Sequence, residues 1–549
     1  MPHISLLNQS ADFPQNSTVL NVIKALHPEL LKTTLGCLCG GLSLELTQVL
    51  DKDCALFPIS FQNEEGRRIY ERSLRFVLLL AVHRLFPSAH VRIEHSLGFG
   101  VYATMLGMEP TEKDILAIEK EMRAIVQADL PFVKERWTRE HAIDYFKHEG
   151  ETDKTRLLAY RPYDFFNVYK CGGMAEYFYG SMLPSTSYVS VFALRLNKPG
   201  FVLQMPGPDN PSIPAPFVDL PKHLKAFEQS NEWCRILGCT NATDLNDLIV
   251  QNKLRDFIRV NEALQDKSIG EIADEILSRG SRAIFISGPS SSGKTTFANR
   301  LCIHLRVLGL SPVLISLDDF YRDKNSLPLE SNGEPDLEAL SALDVPLISR
   351  TMSDLLAGRE TLLPKFDFKT GKRAPTAVKM KLCDSQPIVV EGIHGLNPEL
   401  HQGFDAHLLC RIYISELTCL NLDNHNRIRT TDARLLRRIV RDYQFRNTLP
   451  DETLSMWNSV RQGEEKWIFP FQEQADFVFN SALHYELPVL KNIAYELLKV
   501  IEPDNPNYLL SRRLLKILHY LLPAPADALK EIPPLSILRE FIGGCTLYE

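Results

Sequence analysis

The feature that most constrains this chain is the stretch from Ala283 to Thr296, Ala-Ile-Phe-Ile-Ser-Gly-Pro-Ser-Ser-Ser-Gly-Lys-Thr-Thr. Its apolar, partly β-branched opening predicts a buried strand. Gly288, Pro289, Ser290, Ser291, Ser292, Gly293, Lys294 and Thr295 then match the eight-residue nucleotide-phosphate loop, with Thr296 following. From Phe297 the apolar spacing is helical. Glycines let the backbone curl so that successive N–H groups face a polyphosphate. The helix N-terminus adds partial positive charge. Lys294 is suited to the β- and γ-phosphates and the Thr295 hydroxyl to Mg²⁺.

The 549 residues are enough for three or four domains. A net charge of −7 argues against a whole-chain nucleic-acid binder but leaves room for a local basic patch. The longest apolar run, Phe76 to Val82, is too short to span a bilayer. Eleven cysteines lie scattered, without paired zinc-ligand spacing. They read as reduced, mostly structural thiols of a cytoplasmic protein.

Residues 1–60 read as short strands with one helix after Ser17-Thr18. A long helix is expected from Glu64 to Leu85, a strand pair from His90 to Met105, and further helices over 111–127 and 138–147. Several strands are expected over 160–205. Residues 206–220 are Pro-rich and predict a semi-rigid linker, and 221–279 are helical by pattern.

Leu85-Phe-Pro, Ile118-Glu-Lys-Glu-Met122, Cys171-Gly-Gly and Pro184-Ser-Thr-Ser make the first 205 residues resemble the N-terminal part of threonyl-tRNA synthetases. The resemblance implies a ubiquitin-like domain over 1–60 and an α+β editing-type domain over 61–205. It also implies that the region binds something, such as RNA, tRNA or the rest of the chain. That family's editing site carries His-x-x-x-His on the first long helix. Here those positions are Arg72 and Phe76, while Cys171 falls where the family has its editing cysteine. Cys171 therefore reads as structural.

Downstream of the loop, Pro312 to Leu317 predicts a second strand ending in Asp318-Asp319-Phe320-Tyr321, and Gln386 to Val390 a third ending in Glu391. Carboxylates at the C-terminal edges of parallel strands lie where such sheets place their sites. Asp318 suits a proton acceptor for an alcohol, and Glu391 a Mg²⁺ shell. Arg434, Arg437, Arg438 and Arg441 recur at helical spacing on one broad face, suited to closing over a transferring phosphoryl group. The alternatives are a solvated basic helix or an RNA contact.

Gly288 to Thr295, Asp318-Asp-Phe-Tyr, Pro364-Lys-Phe-Asp-Phe, Val390-Glu-Gly-Ile and Thr431 to Asp442 together resemble the uridine kinase and phosphoribulokinase family of P-loop kinases. The resemblance implies an α/β kinase domain over 280–500, a parallel sheet with flanking helices, using ATP and Mg²⁺. It implies Asp318 as general base for a nucleoside 5′-hydroxyl, with Lys294, Arg437, Arg438 and Arg441 as further catalytic groups. Tyr321, Asp336, Glu338, Phe366, Arg373 and Arg434 would border the substrate, and Thr295 and Glu391 the metal. Animal-type uridine–cytidine kinases contact the base through a Tyr and a His of Tyr-Asp-Phe-x-x-His. This chain has Phe366 and Gly371 there. Loss of two hydrogen-bonding groups changes discrimination. The whole arrangement resembles a bacterial group of fused uridine-kinase-like nucleoside kinases. Residues 501–549 are expected to be a helical tail, with 505–549 a helical pair ending in an ordered strand or turn, without chemistry. The expected function is nucleoside 5′-phosphorylation by ATP, with uridine or cytidine favoured. The alternatives are a kinase of another small alcohol and an RNA-associated ATP-dependent regulator.

Overall fold

The computed structural model describes every residue except 162, 328–335, 368, 369, 384, 548 and 549. Phe368, the last residue of the Pro364-Lys-Phe-Asp-Phe motif, therefore lies outside the described residues.

The phosphate-loop strand, Ala283–Ser287, is buried along its whole length. It stands at the centre of a five-stranded, all-parallel sheet ordered Val313–Ser316, Ile388–Glu391, Ala283–Ser287, Leu409–Ser415, Phe477–Asn480. Strands covered on both faces read as continuous apolar runs, as these do. The helices Lys294–Val307, Val345–Leu356, Thr430–Phe445 and Glu486–Lys499 supply the flanking layers. The register aligns Ile286 with Glu391 and Glu391 with Ser316. The carboxylate-bearing ends of two strands thereby meet beside the loop, as a parallel sheet places its site.

In the N-terminal half, His3–Leu6, Gln9–Asp12, Thr34–Cys39, Leu42–Leu44 and Cys54–Ser60 make a mixed five-stranded sheet under the helix Val19–Leu26. The long helix Glu64–Leu85 then packs against a four-stranded antiparallel sheet containing His90–Leu97 and Gly100–Leu106. The helix Glu112–Gln127 starts on a reciprocal Thr111/Asp114 capping box. The Pro-rich stretch, expected as a semi-rigid linker, packs on the fold near its end. Phe217 and Leu220 pack on Leu97, Tyr102 and Val202, and the Arg195 guanidinium stacks 4.0 Å from the Phe217 ring centroid.

The two halves interlock. A hairpin of Asn421–Asp423 and Asn426–Arg427, just before the helix Thr430–Phe445, enters the N-terminal half. Ile93 N–H donates to the Asn424 carbonyl at 2.8 Å, and Asn421 Nδ2 donates to the Ile93 carbonyl at 2.7 Å. His425 Nδ1 meets Glu176 at 2.6 Å, within the same buried cluster as Lys154. One apolar core runs from Trp137 and Phe166 through Ile258 and Ile284 to Phe541.

The C-terminal segment corrects the expected helical pair. After the helix Tyr508–Leu518 come only a 3₁₀ turn, Ala528–Glu531, and the single-turn helix Arg539–Ile542. Four prolines between Pro523 and Pro534 remove backbone donors and keep a second long helix from forming. Among the described residues no helix is long and apolar enough to cross a membrane.

Candidate active site

Gly293 caps the helix Lys294–Val307 at φ 85°, a left-handed conformation that favours glycine. Ser291 is held at φ 61°. Such alternations turn successive N–H groups toward one concavity. The hydroxyls of Ser291 and Ser292 are buried without a partner among the described residues. After the buried Pro289, the Ser290 N–H donates to Glu464 at 3.0 Å. Lys294 Nζ curls back to the carbonyls of Gly288 at 2.8 Å and Pro289 at 3.2 Å. Burial draws the Lys294 ammonium below its usual range, opposed by the charges of Glu391, Asp318 and Glu540. Thr295 is exposed at the helix start.

Glu391 is buried at its strand end and accepts from the Ser316 hydroxyl at 2.8 Å. Burial and the nearby Asp318 charge push its carboxyl up to about 7. Asp318 is an exposed residue two positions past the strand partner of Glu391. The surrounding protein raises its pKa, helped by Asp319 and opposed by Lys294. Two crowded carboxylates with raised pKa values beside one lysine make a site that gains from a cation. The donor set fits a hard ion held by a hydroxyl, carboxylates and ligand phosphates, namely Thr295, Glu391 and neighbouring water. Among the described residues no group of three or more His, Cys, Asp or Glu side chains forms a metal cage by itself.

Tyr321 and Phe366 lie with ring centroids 5.6 Å apart, and the Tyr321 hydroxyl donates to the Leu337 carbonyl at 3.1 Å. Asp336 Oδ1 accepts from the Glu338 N–H at 3.0 Å. Burial raises the Glu338 carboxyl, with Glu464 adding to the effect. Arg373 is committed to the protein: it donates to the Tyr321 carbonyl at 3.0 Å and pairs with Asp344 at 3.1 Å. It braces the strip that carries Tyr321.

The arginine helix divides in two. Arg434 and Arg437 are buried, at 1% and 0% exposure. Arg434 pairs with Glu464 and donates to the Ser290 carbonyl at 2.9 Å. Arg437 pairs with Glu486 and donates to the Ser291 carbonyl at 3.3 Å. The expected substrate contact of Arg434 and catalytic contact of Arg437 give way to bracing positions under the loop. Two buried glutamates set that position, since a buried guanidinium demands a paired carboxylate. Arg438 and Arg441 are only partly buried: Arg438 donates to the Ser290 hydroxyl at 2.8 Å, and Arg441 pairs with Asp442 at 3.1 Å.

Sequence reasoning missed Glu464, Glu486 and Glu540. Gly463 was a signal for the first. In the middle of the helix Pro450–Trp467, glycine is costly. A Cβ there would stand 2.8 Å from the Glu338 Cβ, so the glycine marks a tight contact beside the site.

Residues 283–487 match the model of the Phosphoribulokinase / Uridine kinase family. That segment is a domain of this kinase family. The chain joins it to an N-terminal region similar to part of threonine–tRNA ligases. It is 33% identical to the ligase of Symbiobacterium thermophilum over 195 residues, 35% of this chain and 30% of that protein. It is 31% identical to the ligase of Carboxydothermus hydrogenoformans over 192 residues, 34% and 30%. The chain thus spans about 30% of the length of these relatives. Among solved structures, "Structure of a Possible Uridine Kinase from Bacillus stearothermophilus" is 24% identical, with a TM-score of 0.27, over 39% of this chain and 97% of that one. D-glycerate 3-kinase from Cryptococcus neoformans is 17% identical, with a TM-score of 0.23, over 46% and 87%.

In the N-terminal region, Arg72 and Phe76 stand where the synthetases' histidine pair is expected. Arg72 bonds the Ser181 carbonyl and pairs with Glu65 at 2.9 Å. Phe76 is fully buried against Phe132 and Phe178. Burial pushes the Cys171 thiol up to about 11, so it carries little thiolate at neutral pH.

Proposed function

We propose that the chain is an ATP-dependent nucleoside kinase, transferring the γ-phosphoryl group to a nucleoside 5′-hydroxyl. The observation that carries this reading is the convergence of Asp318, Glu391 and Lys294 on one phosphate loop, at the edges of adjacent parallel strands. The loop amides and Lys294 hold the polyphosphate. Thr295 and Glu391 would hold a Mg²⁺ ion, which would supply neutralisation of the charge on the transferring phosphoryl group. Asp318 accepts the hydroxyl proton as the acceptor oxygen bonds to phosphorus and the bond to the β-phosphate oxygen breaks, releasing ADP. Its raised pKa improves it as a base. Arg438 and Arg441 stabilise the transferring group. Tyr321, Phe366, Asp336 and Glu338 border the nucleoside, with an acid available for ribose hydroxyls. The N-terminal region contributes tRNA or RNA contact at most as a secondary property.

A coupled ADP-release assay with Mg-ATP and a panel of nucleosides, with product masses, tests this. A nucleoside monophosphate is the expected product. ADP without one moves the acceptor to another small alcohol, such as a sugar phosphate. ADP release that requires RNA moves the reading to an RNA-associated regulator.

A further inference from the structure

The C-terminal segment lies outside the family-matched residues 283–487, yet it touches both the phosphate loop and the arginine helix. Ser536 anchors it by donating to Glu262 at 2.6 Å. Ile537, Leu538 and Phe541 are fully buried. Ile537 closes on the loop so tightly that a Cβ on Gly293 would stand 2.5 Å from its Cγ2. The Phe541 ring lies under the Arg437 guanidinium, 5.1 Å from its centroid, and its carbonyl accepts from Gln444 at 3.0 Å.

Glu540 stands between these two anchors. Its Oε2 accepts from the Thr296 hydroxyl, in the first turn after the loop, at 2.8 Å. Its Oε1 lies 3.7 Å from an Arg441 nitrogen. Its charge acts on both Lys294 and Glu391. One carboxylate therefore ties the turn that starts at Lys294 to an arginine of the helix Thr430–Phe445. It does so with little freedom, because the buried residues on either side fix its backbone.

We propose that Glu540 is a positioning residue of the phosphoryl-transfer site. It sets the Thr296 turn for nucleotide binding and aims Arg441 for the transfer step, so the C-terminal segment is a working part of the nucleotide site. This rests on the kinase reading above. The two contacts make separable demands. Glu540→Gln keeps an oxygen acceptor for Thr296 and removes the second carboxylate charge, beside that of Asp442, that faces Arg441. An alanine loses both.

The test compares the full chain with Glu540→Gln and Glu540→Ala. Mg-ATP and Mg-ADP affinities are read by calorimetry, kcat and KM for ATP by turnover of the nucleoside the wild-type protein accepts, and the fold by thermal unfolding. Glu540→Ala is expected to weaken Mg-ATP binding about tenfold, the usual scale for losing a charge-assisted hydrogen bond, and to lower kcat as well. Glu540→Gln is expected to restore affinity and KM to near the wild-type values but not kcat, a split that a merely structural role does not produce. Unchanged affinity and kcat in Glu540→Ala overturn the proposal. So do losses that only follow a lowered Tm, and so does tighter binding, which would make the carboxylate a competitor of phosphate. Nucleotide binding needs no knowledge of the acceptor. If the wild-type chain binds neither Mg-ATP nor Mg-ADP, the kinase reading falls and takes this proposal with it. If it binds both and the variants match it, this proposal alone falls.

Discussion

The Arg434 guanidinium and the Glu464 carboxylate form an ion pair directly beneath the phosphate loop, each side chain 1% exposed. The same carboxylate accepts from the Ser290 N–H, and the same guanidinium donates to the Ser290 carbonyl. One residue of the loop is thus held at both ends of its peptide units by two charges that neutralise each other. Glu464→Ala would leave a buried cation and a loop amide without their partner. The expected cost is about 3–5 kcal/mol of stability, read by denaturant unfolding, together with weaker nucleotide binding.

Lys294→Ala and Asp318→Asn address the chemistry itself. Neither side chain is part of an apolar cluster, so both variants are expected to fold. Each is expected to lower kcat at least ~100-fold, as loss of a charge-stabilising or proton-accepting group commonly does. Steady-state kinetics with thermal unfolding as the control checks this. Near-wild-type turnover in either variant removes that residue from the mechanism.

Glu391 supplies a pH signature. Its carboxyl titrates near 7 when folded, well above an unfolded carboxyl. Between those two values the folded state holds the extra proton, so stability falls as pH rises through that window and levels off above it. Asp423, at about 7, and Glu416, at about 8, contribute slopes of the same sign. Glu391→Gln is expected to remove one share, so its stability relative to wild type increases between pH 5 and pH 7.5, by on the order of 2 kcal/mol. Unfolding curves at the two pH values measure it. Parallel pH profiles for the two proteins would contradict the assignment.

The thiols offer a chemical check on the N-terminal region. Cys171 is buried with a raised pKa, whereas Cys383 is exposed. Under native conditions a thiol reagent is expected to label Cys383 first, and Cys171 only once the chain unfolds. Peptide mapping of the labelled protein distinguishes the two. Early labelling of Cys171 would argue for an open, reactive centre.

The parts of this molecule that could be read from sequence are those whose chemistry depends on near neighbours. The strand, the loop and the start of its helix occupy fourteen consecutive residues, and the acids 318 and 391 each end an apolar run. Helical spacing correctly gathered Arg434, Arg437, Arg438 and Arg441 on one helix. It could not say that Arg434 would meet Glu464 and Arg437 would meet Glu486, because pairings 30 and 49 residues away leave no periodicity behind. Without those partners all four arginines look equally free. Glu540 escaped notice for the same reason, lying 244 residues from Thr296. On the acceptor side, the missing Tyr and His were legible as departures, but the packing of Tyr321 against Phe366 was not.

The hairpin around Asn424 makes the Pro-rich stretch mechanically redundant. A protease that cut between residues 206 and 220 would break one covalent connection and leave the strand-like bonds at Ile93, the buried Glu176–His425 contact and the shared core in place. The fragments would run as two bands in denaturant and travel as one particle in native gel filtration. Preparations that pass a size column could therefore be nicked throughout, and the halves are best regarded as one folding unit carried on a single backbone.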